Sequence, residues 1–321
     1  MNEIVDVLIV GRIYSDLVFT GVHAPAPGTE VYADGFAISP GGAANRAVAA
    51  ARLGATTNLL TEFGDDPIGT VVENMLRREP HLDLSGSTRR SNYQNPISVA
   101  ITDGPDRSFV TYKLPGSQPD WTPGRPVRTA HVGLMDDGFP QWAVLLREAG
   151  TLLIGGVGWD PTGQWSRDLM DQFSDVDVLI VNEVEALGYT RAADCHEALR
   201  ILASVVQVAV ITLGPSGAIA TDGNQTLYVP ALPVVAVDPT GAGDTFTAAF
   251  MATTAWNWPL IDRLRLASVS ATCSVRGRGG ARSAPTASEI YDFLGQSHVN
   301  EDWAFVRTWA ECTCTTTTQP A

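Results

Sequence analysis

Lysine is almost absent from this 321-residue chain: of its 21 basic side chains, only Lys113 is a lysine. That residue stands in neither a G-K-[ST] turn nor a V-A-I-K strand. Walker-type NTPases and protein kinases each need a lysine on the phosphates, so both classes are excluded. Positive charge is scarce overall. The 35 acidic residues leave a net charge of −14, which opposes partnership with nucleic acid or with an anionic membrane. The four cysteines, Cys195, Cys273, Cys312 and Cys314, show no paired metal spacing. They read as free thiols in a reducing compartment, not as a zinc site. No apolar run reaches the roughly 18 residues that cross a bilayer. The N-terminus passes straight into the apolar Val5–Val10 without a basic leader, so the expected location is cytoplasmic. Gly11 after that run lacks a G-x-G-x-x-G continuation, which disfavours a dinucleotide oxidoreductase.

What is present points to a large core. A hydrophobic content of 45% over 321 residues suits one large α/β domain with an appendage. The most informative stretch is DPTGAGDTFTAAF, residues 238–250. Val234, Val235 and Val237 before it are β-branched, Pro239 and Gly241 break the strand, and Phe246, Ala249 and Phe250 recur at helical spacing. Gly241, Ala242 and Gly243 would leave bare N–H groups at the positive end of that helix, and such a turn binds an anion. Asp244 follows at once. It is either a first-turn helix acid or a base that takes a proton from a nucleophile about to meet a phosphate.

DPTGAGDTF resembles the C-terminal signature of the ribokinase-like carbohydrate kinases, the phosphofructokinase-B type family. PGGAANRAVAAARLG, residues 40–54, is similar to that family's N-terminal signature. The resemblance runs to about residue 295 and implies a doubly wound, mostly parallel α/β sheet with helices on both faces and a small β-sheet lid. It implies ATP-dependent phosphorylation of a sugar hydroxyl, with Asp244 as base and the N–H groups of Gly241, Ala242 and Gly243 as the anion hole. Asp16, Gly41, Gly42, Asn45 and Asp136 would hold the sugar, although Asp137 beside Asp136 leaves that choice open. Tyr14 stands where ribokinases carry a small amide, which puts ribose itself in question. NEVE resembles the family's Asn-x-x-Glu motif, so Asn182 and Glu185 would hold Mg²⁺ through its waters; read from spacing alone, the pair is a helix capping box. Thr212, Gly214 and Gly217 of TLGPSGA would touch the nucleotide, and Asp160 would lie near the phosphates. By the same resemblance Asp238, Thr240, Ser274, Gly277, Gly279 and Ser283 would bind a monovalent cation such as K⁺.

The remaining chain fits this frame. From residue 129 strands and helices alternate as in a parallel sheet with ligands at the carboxyl ends of its strands. Residues 12–38 and 96–114 interrupt that rhythm with short β segments, expected as the lid of a kinase domain over 1–295. FGDDPIG reads as a structural turn. Residues 296–321 read as a docked extension with a frayed end. Pairing of two copies through the lids is implied by resemblance. Two other readings stay open: a nucleoside kinase of the same family, with Tyr14 stacking on a base, and a non-catalytic sugar- or nucleotide-binding protein on a kinase scaffold.

Overall fold

A computed structural model describes residues 4–103, 106–114, 124–134, 138–158, 160, 162–297 and 301–317. The first apolar run forms β1 (Val5–Val10), which sends Val7 and Ile9 into one core and Leu8 into the other. Val7, Leu8 and Ile9 are fully buried, as the apolar middle of a parallel-sheet strand should be, whereas Asp6 near its start is part-exposed and accepts from Thr56. The chain then makes β2 (Ile13–Thr20), β3 (Gly35–Gly42), α1 (Ala43–Arg52), β4 (Thr57–Leu60), β5 (Glu62–Gly64), α2 (Pro67–Leu76), β6 (Leu82–Asp83) and β7 (Thr88–Arg90). A second excursion gives β8 (Ile97–Asp103) and β9 (Asp106–Tyr112). The regular half follows as β10 (Val127–Leu134), α3 (Gln141–Glu148), β11 (Leu152–Val157), β12 (Val178–Asn182), α4 (Glu183–Thr190), α5 (Cys195–Leu202), β13 (Val208–Thr212), β14 (Ala218–Thr221) and β15 (Thr226–Val229). The chain ends in α6 (Ala242–Ala255), α7 (Leu260–Ser274), the single turn α8 (Gly280–Ser283), α9 (Ala287–Gln296) and α10 (Ala304–Thr317).

The nine-stranded sheet runs β15-β14-β13-β12-β11-β10-β1-β4-β6. It is parallel from β13 to β6, and β14 and β15 form an antiparallel edge. Helices cover both faces: α1, α6, α7 and α9 share one core, and α3, α4 and α5 share the other. From β1 the chain goes to β4 on one side and later to β10 on the other. The connections therefore diverge between β1 and β10 and leave a crevice beyond their carboxyl ends. Helices α1 and α6 pack on each other and on these two strands. Nearly all of α6 is inside the protein, with Phe250 and Met251 at 0% exposure. Two of its buried hydroxyls are satisfied locally, Thr253 donating to the Ala249 carbonyl at 2.9 Å and Thr254 to that of Phe250 at 2.8 Å, whereas the buried Thr245 hydroxyl in its first turn has no partner among the described residues. Burial of Phe250 alone stabilises by about 2–3 kcal/mol, and it anchors the helix whose first turn carries Asp244.

A separate four-stranded sheet, β3-β2-β8-β9, is built from the two excursions. Because directly paired residues share a face, Asp16 lies on the same side as its partners Ser39 and Ser98. Phe19, Phe36 and Ile101 lie on the opposite side. The turn FGDDPIG is structural, as expected: Asp66 caps α2 by accepting from the Ile68 and Gly69 N–H groups. After residue 296 the chain forms an element that the Thr-rich ending obscured. Trp303, Val306 and Ala310 are buried at helical spacing, and Trp309 and Phe305 of α10 stack on Trp256 and Trp258. No described helix is long and apolar enough to cross a membrane.

Candidate active site

The crevice beyond β1 and β10 opens into a cleft of about 1110 Å³ whose lining includes Arg46, His131, Asn182, Glu185, Thr212, Gly241, Gly243 and Asp244. The turn before α6 is tied down from behind. The N–H groups of Val237 and Asp238 both donate to the Val275 carbonyl, at 2.7 and 3.1 Å. The Asp238 carboxylate accepts from the Thr240 and Gly279 N–H groups, each at 2.9 Å. Gly241 then takes a left-handed φ of 77°, and a Cβ there would lie 2.8 Å from the Gly280 Cα. Only glycine fits both demands. Among the described residues the Gly241 and Gly243 N–H groups have no acceptor, so two donors face the cleft at the positive end of α6. The expectation for Ala242 needs correction: its N–H donates to the Pro239 carbonyl at 3.3 Å, because the turn closes on itself there.

Asp244 sits in the first turn of α6. Asn45, 199 residues earlier, donates from Nδ2 to its Oδ2 at 2.9 Å. Arg46 donates from Nη1 to its Oδ1. These partners arrive on α1, whose buried run of alanines lets it lie close against α6. Gly280 makes room for them, since a Cβ there would stand 2.6 Å from Asn45 Oδ1.

Asp16, on β2, is not part of that lining but lies within reach of the Asp244 and Asp238 charges. A side chain at Gly41 would collide with its carboxylate at 2.1 Å, and one at Gly42 would meet the Tyr14 ring at 2.7 Å. The glycine pair thus seats Asp16 and Tyr14 against the backbone. Burial first, then the neighbouring Asp244 and Asp238 charges, push the Asp16 carboxyl up to about 7.

Asn182 and Glu185 cap α4 reciprocally. The Asn182 N–H donates to Glu185 Oε2 and the Glu185 N–H to Asn182 Oδ1, each at 2.9 Å. The capping reading of this pair is therefore correct as geometry, and both residues also line the cleft. Burial raises the Glu185 carboxyl. Its Oε1 has no protein partner among the described residues, which leaves one oxygen for an ion's water shell. An oxygen-only set of this kind suits Mg²⁺. No group of three His, Cys, Asp or Glu side chains placed to hold a metal ion occurs among the described residues.

The other expected residues divide. Thr212 lines the cleft, but Gly214 and Gly217 do not. Gly217, at φ 98°, is required by a hairpin contact instead: a Cβ there would lie 2.1 Å from the Val229 carbonyl oxygen. Asp160 lines the cleft, yet its carboxylate is occupied by its own turn, accepting from Thr162 and from the Trp165 N–H at 2.6 Å. Asp136 and its neighbour Asp137 lie outside the described residues. Of the expected cation ligands, Asp238 and Thr240 meet the loop of Ser274, Gly277, Gly279 and Ser283 through the Asp238–Gly279 bond. The Asp238 carboxylate is spent on N–H groups and the Ser274 hydroxyl on the Ala271 carbonyl. The Ser283 hydroxyl is buried beside Gly277 without a partner.

Two side chains at the site were not foreseen. Arg46 follows Asn45 directly, and its signal was an arginine inside an otherwise apolar helix. His131 looked like one more residue of a strand. It is 5% exposed in β10 and lines the cleft, and burial, with the Arg46 charge second, holds its imidazole neutral.

Residues 6–287 match the pfkB family carbohydrate kinase model. The chain is 28% identical over 309 residues to a ribokinase of Bacillus subtilis (strain 168), covering 90% of this chain and 99% of that protein. It is 27% identical over 301 residues to a nucleoside kinase of Methanothermobacter thermautotrophicus, covering 90% and 95%. Among solved structures, the Arabidopsis thaliana ribokinase complexed with ribose and ATP superposes with a TM-score of 0.74 at 22% identity over 91% of this chain and 99% of that one. With this fold, this cleft and a family match across most of its length, the chain belongs to the pfkB family of carbohydrate kinases.

Proposed function

We propose that the protein transfers the γ-phosphoryl group of ATP to a hydroxyl of a small, ribose- or fructose-like carbohydrate, with Asp244 as the base. The observation that carries this reading is the convergence of Asn45 and Asp244, at 2.9 Å across 199 residues, beside the free N–H groups of Gly241 and Gly243. In this reading Asp16 and Asn45 hold the sugar hydroxyls, and Asp244 receives the proton of the hydroxyl that attacks. A carboxylate is a weak base for an alcohol, so the proton moves late, as the new P–O bond forms, and positioning supplies most of the acceleration. The N–H groups at the start of α6 stabilise charge on the transferring group. Mg²⁺, held from Asn182 and Glu185 through water, would offset the charge of the nucleotide phosphates. The sheet carrying Asp16 serves as a lid that excludes water, which otherwise competes for the phosphoryl group. K⁺ at the Asp238–Ser283 loops is supported by the unpartnered Ser283 hydroxyl, with backbone carbonyls as the remaining ligands.

A nucleoside acceptor is the second reading, supported by Tyr14 beside Asp16 and by the similarity to a nucleoside kinase. The test is a coupled ADP-release assay with ribose, fructose, 2-keto-3-deoxygluconate and adenosine, run on the wild type and on Asp244→Asn. The variant should fold and bind ATP normally and turn over at less than about a tenth of the wild-type rate. Retention of more than that removes Asp244 from the role.

A further inference from the structure

Each oxygen of the Asp244 carboxylate is held by a different donor, and the two donors are consecutive residues of α1: Asn45 on Oδ2 and Arg46 on Oδ1. The Arg46 and Asp244 side chains are 23% and 24% exposed, and the Arg46 Nε is buried without a partner among the described residues. The charges around this pair are mostly of one sign. Asp16 on β2 lies near Asp244 and also near Asp238, whose carboxylate is turned to the Thr240 and Gly279 N–H groups; burial and then the Arg46 charge hold the His131 pKa well below its usual value, and Glu185 on α4 and Asp160 after β11 stand elsewhere in the cleft lining. Among the described residues Arg46 is the one arginine or lysine that lines the cleft.

We propose that Arg46 is a positioning residue for Asp244: with Asn45 it forms a two-point clamp that fixes the carboxylate plane toward the acceptor hydroxyl and sets a cation on it among neighbouring acids. The inference rests on the reading of Asp244 as base. A clamp with one donor per oxygen leaves the second lone-pair site of each oxygen for the substrate. Backbone rigidity transmits the alignment, because both donors leave the same helical turn. Guanidinium suits the task better than ammonium, since its planar fork loses less freedom when it docks on a carboxylate. Burial first, and then the Asp244 and Asp238 charges, lift Asp16; carboxylates this close repel, and Arg46 is the cation placed on Asp244 to offset that repulsion.

The experiment compares wild type, Arg46→Gln and Arg46→Lys in the full chain, from pH 5.5 to 9, with the acceptor that the panel assay identifies. Arg46→Gln should lower kcat between about ten- and a hundredfold, with KM for ATP and acceptor changed less than about threefold. The acid limb of its kcat profile should move up by about one pH unit. Arg46→Lys should return the limb to its wild-type position while recovering only part of kcat. A raised acceptor KM at unchanged kcat overturns the proposal in favour of direct substrate contact. A lowered kcat with an unmoved acid limb and a lower melting temperature reduces Arg46 to a structural role. Should Arg46→Gln fail to fold, Arg46→Lys decides alone: wild-type kcat with an unmoved limb rejects the clamp. An active Asp244→Asn variant, or a wild type that phosphorylates nothing, overturns the underlying reading and this inference with it, and is told apart because Arg46 plays no part in that result.

Discussion

Replacing Asp16 with asparagine should stabilise the protein by an amount that grows with pH. The Asp16 carboxyl is lifted from 3.8 to about 7, mainly by burial and then by the charges of Asp244 and Asp238. Below pH 4 the folded and unfolded chains both carry the proton, so the group contributes nothing. Between pH 4 and 7 the folded chain keeps a proton that the unfolded chain has lost, and stability falls as pH rises. Above pH 7 the penalty is complete. A lift of about three units, at about 1.4 kcal/mol each, corresponds to roughly 4 kcal/mol. Asparagine stays neutral throughout and escapes the penalty. The stability difference between Asp16→Asn and wild type should therefore be near zero at pH 4 and climb toward roughly 4 kcal/mol at pH 8. Urea unfolding at half-unit pH steps measures it. Sugar binding carries the opposite sign, because a substrate hydroxyl donates best to an ionised Asp16, so acceptor affinity should tighten as pH rises through 7 in wild type and stay flat in the variant. A stability difference that does not vary with pH would refute this account of the carboxyl cluster.

Two further outcomes follow from the geometry. Glu185→Gln keeps the Asn182 cap, since glutamine serves in a capping box, but loses the charge on the free oxygen; melting should move little while the Mg²⁺ concentration for half-maximal activity rises several-fold, and an unchanged Mg²⁺ requirement rules out this site for the ion. The face of the β3-β2-β8-β9 sheet opposite Asp16 exposes Phe36, Val110 and Tyr112 at 58%, 65% and 49%; Phe36 also lines a groove of about 450 Å³ with Phe19, Val99 and Ile101, and an exposed apolar face of this kind favours an interface. A second copy should cover it, so that sedimentation at micromolar concentration finds a dimer that Phe36→Glu splits; a monomeric wild type excludes that pairing.

Much of this molecule was readable before any coordinates. Val5–Val10 pointed to a parallel strand, because burial on both faces of its Val7–Ile9 segment leaves no polar position there. DPTGAGD announced a glycine turn and a charged helix start, since each has its own residue chemistry, but the strand expected of Val234, Val235 and Val237 does not form: no strand lies between Val229 and Ala242, and this stretch is tied down through the Val275 carbonyl instead. The Asn182–Glu185 cap was equally local. Where local chemistry ran out, expectation and structure parted. Ala242 was grouped with its glycine neighbours as a donor, yet turn closure commits its N–H to Pro239. Gly217 looked like a ligand-contact glycine, yet a hairpin partner twelve residues on occupies the space where its side chain would be.

The sequence by itself determined most of the elements, though neither α10 nor the absence of a strand before Ala242, and which two stretches carry the family's signatures, because strand burial, glycine turns and helix caps depend on near neighbours. Only the tertiary structure decided that Arg46 faces Asp244, that His131 reaches the cleft and that Asp16 holds its proton to near neutral pH. The physical reason is that the phase of α1 against α6 and the face of β2 are set by packing between residues far apart in the chain. A carboxyl's proton affinity in turn depends on every charge and every buried atom around it, and no stretch of chain contains that sum.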